Sequence, residues 1–277
     1  MKYRLIASDM DGTLLNNNHE LTDRTRRAII KTVEAGVMFV VATGRPFSNV
    51  GIIREVFDTV NNGAGIDMPF IVYNGAAAFM GKSEKQLFEE YLDFDLAREA
   101  FSIGQKLDIP QIVWTGPQLW ANRVSEETNN YHCFCKGLDM KIISDLAEIK
   151  DEVSGVSKVL WISEPDRIKK LGYEMSDHFG YKLNCFSSMP IFLEFVSANA
   201  GKGIALAEIC KLYDISSSEV IAVGDAYNDV SMMDFAGFSV AVENAPEDIK
   251  EICDYITLSN EDDGVADLIE KYVLNQK

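Results

Sequence analysis

"LIASDMDGTLLNNN", residues 5–18, runs from an apolar stretch into a polar turn, and two carboxylates, Asp9 and Asp11, stand at the junction with only Met10 between them. The run Tyr3–Ser8 is continuous rather than alternating, which predicts a short strand buried on both faces. A buried strand that finishes on two mutually repelling carboxylates marks the mouth of a site. Residues two apart on an extended chain point the same way, ~6–7 Å apart. Asp9 and Asp11 are therefore expected to face one site together.

Outward from this stretch, Thr22–Ala35 reads as a helix, with Thr22 as N-cap, Ala28, Ile29 and Val33 on one side and Gly36 as the stop. "VMFVVA" (37–42) is a second apolar strand, "RPFSNVGIIREVF" (45–57) a helix with Pro46 in its first turn, and "PFIVY" (69–73) a third strand. Strand, helix, strand, helix, strand with uniformly apolar strands predicts a parallel sheet covered on both faces. The C-terminal third resumes the rhythm with strands at 190–196, 220–224 and 238–242 and helices at 202–213, 229–236, 246–252 and 265–272. Between about Gly81 and Ser188 the segments mix polar and aromatic residues, and "GKSEK" (81–85) and "SSMP" (187–190) have the composition of linkers. The expected fold is α/β: a doubly wound parallel-sheet core formed by 1–82 and 189–277, with an inserted α+β domain at 83–188 whose sheet has one face less buried.

The chain has 277 residues, 47% of them hydrophobic, and a formal net charge of −17. Such a surface repels phosphate backbones, so nucleic acid and anionic membranes are not expected as partners. No apolar run reaches the ~18–20 residues that cross a bilayer, and with no basic region and apolar stretch before the first strand a signal peptide is not expected. Cys133, Cys135, Cys185, Cys210 and Cys253 are odd in number and irregularly spaced, as expected of reduced thiols in a cytoplasmic protein. Cys133 and Cys135 lie beside His132, but no two further zinc ligands follow at suitable spacing.

In a doubly wound sheet, ligands bind beyond the carboxyl ends of the strands. Three groups follow predicted strands there: Asp9 to Thr13, Thr43-Gly44-Arg45, and Asp225 with Asn228 and Asp229; a fourth, Gly201-Lys202-Gly203, opens a helix. Any one has an ordinary reading as a turn, a cap or a surface charge, but their conjunction in one sheet points to a site. Asp9, Asp11 and Asp225 together call for a hard divalent cation, and Mg²⁺ takes carboxylates along with water and substrate phosphate. Asp229 and Asn228 would lie at or just behind that cation. The Thr43 hydroxyl, the Gly44 amide and the Lys202 ammonium are donors for an anion. Carboxylates, one metal and convergent donors describe phosphoryl transfer. Asp9 is the expected nucleophile, forming an aspartyl phosphate, and Asp11 the acid that protonates the leaving oxygen and then the base that activates water.

Asp9-Met10-Asp11-Gly12-Thr13 resembles the DxDGT signature of haloacid dehalogenase (HAD) superfamily phosphatases. Ala42-Thr43-Gly44-Arg45, Lys202, and Gly224-Asp225 followed by Asn228-Asp229 are similar to that family's later motifs. The inserted central domain and "VYNGA" (72–76) resemble the Cof-type, subclass IIB branch, with a large cap that governs substrate choice. The resemblance implies Mg²⁺ on the carboxylates of Asp9 and Asp225 and the backbone carbonyl of Asp11. It also implies phosphate held by the Met10 amide, Thr43, Gly44, Lys202 and Asn228. One departure is "NAGKG", where a residue other than glycine more often precedes the lysine.

The expected activity is hydrolysis of small phosphorylated metabolites, sugar phosphates foremost. Phosphosugar mutase and a non-catalytic sugar-phosphate sensor are the alternatives. "NAGKGIAL" lacks the first glycine and the Ser/Thr of a P-loop, and no GxGxxG follows Tyr3–Ser8. Arg45 and Asn74, beside the inferred site, are the expected substrate contacts, with Trp114, Trp120, Arg123, His178 and Tyr181 as further candidates in the inserted domain. "LLNNN" is expected to begin a mobile turn beside the site.

Overall fold

The computed structural model describes residues 2–116, 118–135 and 138–275. The chain divides into two compact units: Met1–Arg45, Val50–Phe88 and Gly201–Lys277 form the first, and Pro46–Asn49 with Glu89–Ala200 form the second. Among the described residues no helix is long and apolar enough to cross a membrane.

In chain order the strands are β1 (Leu5–Ser8), β2 (Met38–Ala42), β3 (Pro69–Val72), β4 (Ala77–Met80), β5 (Gln86–Glu89), β6 (Gln111–Thr115), β7 (Gln118–Ala121), β8 (Met140–Ile142), β9 (Lys158–Ile162), β10 (Leu183–Met189), β11 (Phe192–Ser197), β12 (Val220–Gly224), β13 (Phe238–Val242) and β14 (Tyr255–Thr257). The first sheet has the order β14-β13-β12-β1-β2-β3-β4-β5. It is parallel from β14 to β3, and β4 then turns back antiparallel on β3.

The inner strands β1, β2, β3, β12 and β13 are buried on both faces, as their continuous apolar runs predict. Leu5, Ala7, Val40, Ala42, Val220 and Ala222 share a core cluster with Ala205, Leu206 and Ile209 of the helix Lys202–Leu212. Phe39 and Phe70 on the sheet meet Phe57 of the helix Gly51–Gly63 edge to face. The helix Asp23–Glu34 starts where Thr22 accepts a hydrogen bond from the Thr25 amide, and it buries Ala28, Ile29 and Val33. Successive connections after β1 step one way along the sheet and those after β12 step the other. The strand order therefore reverses between β1 and β12, and the crevice for a ligand lies at the carboxyl ends of those two strands.

The second unit holds a sheet of order β10-β11-β9-β6-β7-β8, antiparallel except for β7 on β8. The helices Phe94–Lys106 and Pro165–Phe179 bury Phe101, Ile168 and Phe179 in one cluster with Val159, Trp161 and Phe195 of the sheet.

Four expectations are corrected here. The strand read at 190–196 is β11, which pairs with β9 and β10 and not with the first sheet. A central strand is buried on both faces in either sheet, so apolarity alone does not say which one it joins. Neither stretch read as a linker is one: 81–85 is the turn between β4 and β5, and 187–190 is the end of β10 and the first residue of its turn into β11. Hairpin turns and linkers draw on the same Gly, Ser and Pro. The helix read from Arg45 begins at Gly51, after a short turn Phe47–Asn49. Finally, every residue of β6 and β9 is buried, so the second sheet has no half-exposed face at its centre. Lys158 and Glu194 meet there as an ion pair at 2.8 Å, their side chains 2% and 3% exposed.

Candidate active site

Three of the four groups singled out lie where a strand of the first sheet ends, and the fourth opens the helix Lys202–Leu212. The Asp9 amide continues the ladder by donating to the Val223 carbonyl (2.9 Å), which sets Asp9 beside the end of β12. Thr43 follows β2 and is 1% exposed. Its hydroxyl oxygen accepts from the Arg45 amide (3.1 Å), so its hydrogen stays available to donate. Asp225 follows β12 and accepts from the Thr13 hydroxyl (2.8 Å). Gly12 is fixed by this approach: at φ +79° a Cβ would lie 2.6 Å from Asp225 Oδ2.

Lys202, at the first turn of its helix, is fully buried and reaches Asp9 Oδ1 and Asp229 Oδ1, both at 2.5 Å. Asp229 Oδ2 accepts from the amides of Asp225 and Ala226, each at 3.0 Å. Both Asp229 oxygens are thus engaged by the protein itself. Carboxylate oxygens of Asp9, Asp225 and Asp229 all lie within 4.8 Å of one another.

Three carboxylates surround one ammonium, and the electrostatics follow from that imbalance. Burial, then Asp229 and Asp225, push the Asp9 carboxyl well above the ordinary carboxylate range, against the pull of Lys202. Burial and Asp229 push Asp225 up to about 6. Burial opposes the charge on Lys202, but Asp229 and Asp9 outweigh it and raise its affinity for the proton. A hard dication answers this excess of negative oxygen. Asp9 and Asp225 are the side chains of this cluster that could hold one, while the oxygens of Asp229 bond to Lys202 and the backbone.

Asp11, expected to face one site with Asp9, is held here by Arg45. Its carboxylate is not in the cluster. Oδ2 accepts from Arg45 Nε at 2.7 Å, Oδ1 from Arg45 Nη2 at 2.5 Å, and His19 Nδ1 lies 3.2 Å from Oδ1. The strand has already ended at Ser8, so alternation along an extended chain no longer governs residue 11. Arg45, expected against substrate, here grips Asp11 with its guanidinium fork.

Asn74, the other expected substrate contact, is 1% exposed and accepts from Asn228 Nδ2 at 2.9 Å. The turn "LLNNN", expected to be mobile, is tied down. Asn16 Oδ1 accepts from the amides of Asn18 and Glu20, and the Asn17 amide donates to Glu261. Asn260 Nδ2 donates to the Leu15 carbonyl (3.0 Å), and Asn244 Nδ2 to the Gly12 carbonyl (2.8 Å). Sequence reasoning named Thr13 within the Asp9-to-Thr13 group but gave it no role of its own, and it missed Asn244 and Asn260. Thr13 was readable as the last letter of its motif, whereas the two asparagines are more than two hundred residues distant in sequence from the loop they hold. Among the candidates in the second unit, Trp120 is in its core cluster, Arg123 pairs with Asp108, and His178 pairs with Glu99 at 2.9 Å.

The chain matches the family of haloacid dehalogenase-like hydrolases over residues 6–269 and belongs to it. It is 29% identical over 303 residues to 5-amino-6-(5-phospho-D-ribitylamino)uracil phosphatase YwtE of Bacillus subtilis (strain 168), covering 99% of each chain. A haloacid dehalogenase-like hydrolase from Bacteroides thetaiotaomicron superposes with a TM-score of 0.81 at 30% identity, covering 97% of this chain and 99% of that one. A sugar phosphatase of HAD subclass IIB shares the fold, with a TM-score of 0.81 at 22% identity over 96% of this chain and 98% of that one.

Proposed function

We propose that this haloacid dehalogenase-like hydrolase is a Mg²⁺-dependent phosphatase of small phosphorylated metabolites that works through a phosphoryl group carried on Asp9. The observation that supports this most is the placement of buried Lys202 between Asp9 and Asp229, with Asp225 alongside, at the reversal of strand order. Asp9, Asp225 and the Asp11 carbonyl would hold a Mg²⁺, which would supply charge neutralisation for the incoming phosphate.

The chain's own residues do the rest. Thr43, the amides of Met10 and Gly44, Lys202 and Asn228 bind the phosphoryl oxygens. An Asp9 oxygen attacks phosphorus and the ester P–O bond breaks, while Asp11 gives its proton to the leaving alkoxide. Water then attacks phosphorus, its proton passes to Asp11, the P–O bond to Asp9 breaks, and phosphate departs. Asp11 must leave the grip of Arg45 to reach the leaving oxygen, so Arg45 governs when the acid is available. Asp229 orients Lys202 and is not itself a ligand.

The substrate class we favour is sugar phosphates and phosphorylated polyols, in keeping with the ribityl phosphate in the name of the relative YwtE. The five cysteines are free thiols, in keeping with a reducing, cytoplasmic setting. The test is a panel of phosphate esters assayed with Mg²⁺ and with EDTA, for the wild type and Asp9→Asn. Metal-dependent release of phosphate by the wild type and its loss in the variant are expected. Full hydrolysis by Asp9→Asn, or a wild type that binds esters without turning them over, overturns the proposal.

A further inference from the structure

The turn after β3 has a contorted backbone. Tyr73, Asn74 and Gly75 are consecutive and all left-handed, with φ of +50°, +56° and +91°. Asparagine tolerates this region and glycine adopts it freely, but tyrosine there is an outlier that persists only when its surroundings hold it. They do hold it. The Tyr73 amide donates to the Arg45 carbonyl (3.1 Å) and the Asn74 amide to the Thr43 carbonyl (3.0 Å). Gly75 lies so close to the start of the Lys202 helix that a Cβ would fall 2.3 Å from the Gly201 carbonyl. A Cβ on Gly44 would fall 2.9 Å from Asn74 Oδ1. One strained turn thus touches the loops that carry Thr43, Lys202 and Asn228.

We infer that Asn74 is a positioning residue: its carboxamide fixes which end of the Asn228 side chain faces the phosphate. Asn74 Oδ1 accepts one hydrogen of Asn228 Nδ2 at 2.9 Å. The second hydrogen on that nitrogen is left to donate to a phosphoryl oxygen. Asn228 Oδ1 is buried and has no hydrogen-bond partner among the described residues. Nothing else in that set therefore chooses between the two amide orientations. Asn74 is itself 1% exposed, so it acts through Asn228. The left-handed turn is what aims it there: at an ordinary negative φ the side chain would leave this line.

This inference rests on the phosphatase reading above and is tested in an enzyme already shown to hydrolyse an aryl phosphate. Asn74→Gly deletes the carboxamide while keeping a residue at home in the left-handed region. Together with Asn228→Ala and the double variant it closes a cycle. Asn74→Gly is expected to raise KM, and the inhibition constant of inorganic phosphate, about tenfold, with kcat within about threefold of wild type. The double variant is expected to be no worse than Asn228→Ala alone. A purely structural role would lower the active fraction, and with it kcat, while leaving KM and phosphate inhibition where they were. That pattern, or effects that multiply in the double variant, overturns the inference and leaves the phosphatase reading standing. A wild type without hydrolysis overturns that reading instead.

Discussion

Asp225→Asn should make the metal-free protein more stable while disabling it. Burial and the Asp229 charge push the Asp225 carboxyl up to about 6, against 3.8 for an ordinary aspartate. The folded state therefore holds this proton more tightly than the unfolded chain. The resulting stability is fully present below the unfolded value and is lost as pH rises through about 6. That displacement corresponds to about 3 kcal/mol above neutral pH, at about 1.36 kcal/mol per tenfold change in proton affinity. Asparagine is neutral, nearly isosteric, and keeps an oxygen for the Thr13 hydroxyl that now donates to Oδ1. In EDTA at pH 7.5 the variant is expected to be about 2–3 kcal/mol more stable than wild type, with the gap closing toward pH 4.5. Millimolar Mg²⁺ should then stabilise the wild type and not the variant. The probe must report on the first unit. All three tryptophans, Trp114, Trp120 and Trp161, lie in the second, so tryptophan fluorescence would miss the effect. Hydrogen exchange of the β1 and β12 amides across the pH series is the appropriate assay. A variant less stable than wild type in EDTA, or a difference that does not change with pH, would refute the electrostatic argument.

Lys202→Met removes the one ammonium bonded to Asp9 and Asp229. It should abolish turnover and cost about 3–5 kcal/mol at pH 7.5 by the same exchange measurement, and less at lower pH, because burial and its acidic neighbours raise the proton affinity of the Asp9 carboxyl. Lys158→Met leaves Glu194 buried without its cation and should lower the second unit's stability by about 3–5 kcal/mol, read by tryptophan fluorescence in urea. Adding Glu194→Leu should recover most of that loss. Asn260→Ala orphans the Leu15 carbonyl and should cost about 1–2 kcal/mol, with earlier proteolytic cleavage in the 16–20 turn as the readout.

The legible parts of this chain were those fixed by local pattern. Continuous apolar runs announced β1, β2, β3, β12 and β13, and the polar residues just beyond β1, β2 and β12 had to sit at strand ends because the runs stop there. Topology then brought Asp9 and Asp225 together, since β1 and β12 pair residue for residue. Long-range partner choice was not legible. β11 looks like any buried strand until its neighbours are known, and nothing in "PIFLEFV" encodes β9 rather than β1. The Asp11–Arg45 pair, the Asn74–Asn228 bond and the Asn260 anchor join residues 34, 154 and 245 positions apart. Single side-chain contacts of that kind leave no periodicity to read.

Several unfavourable features of the first unit gather at one end of its sheet. Tyr73 and Asn74 are left-handed, Asp9 and Asp225 are buried against their preference to ionise, and three carboxylates share one lysine. Each opposes folding, and the apolar layers on both sheet faces must offset them. That placement follows from the reversal of strand order: it opens a crevice that side chains of the sheet do not fill, and backbone amides and a helix start already point into it. A dianionic phosphate with a dication would complete the charge and hydrogen-bond balance that the protein alone leaves unmet. On this reasoning the raised Asp225 and the crowded Asp9 are the condition for binding both, because a site already neutral in the free protein would gain little from either.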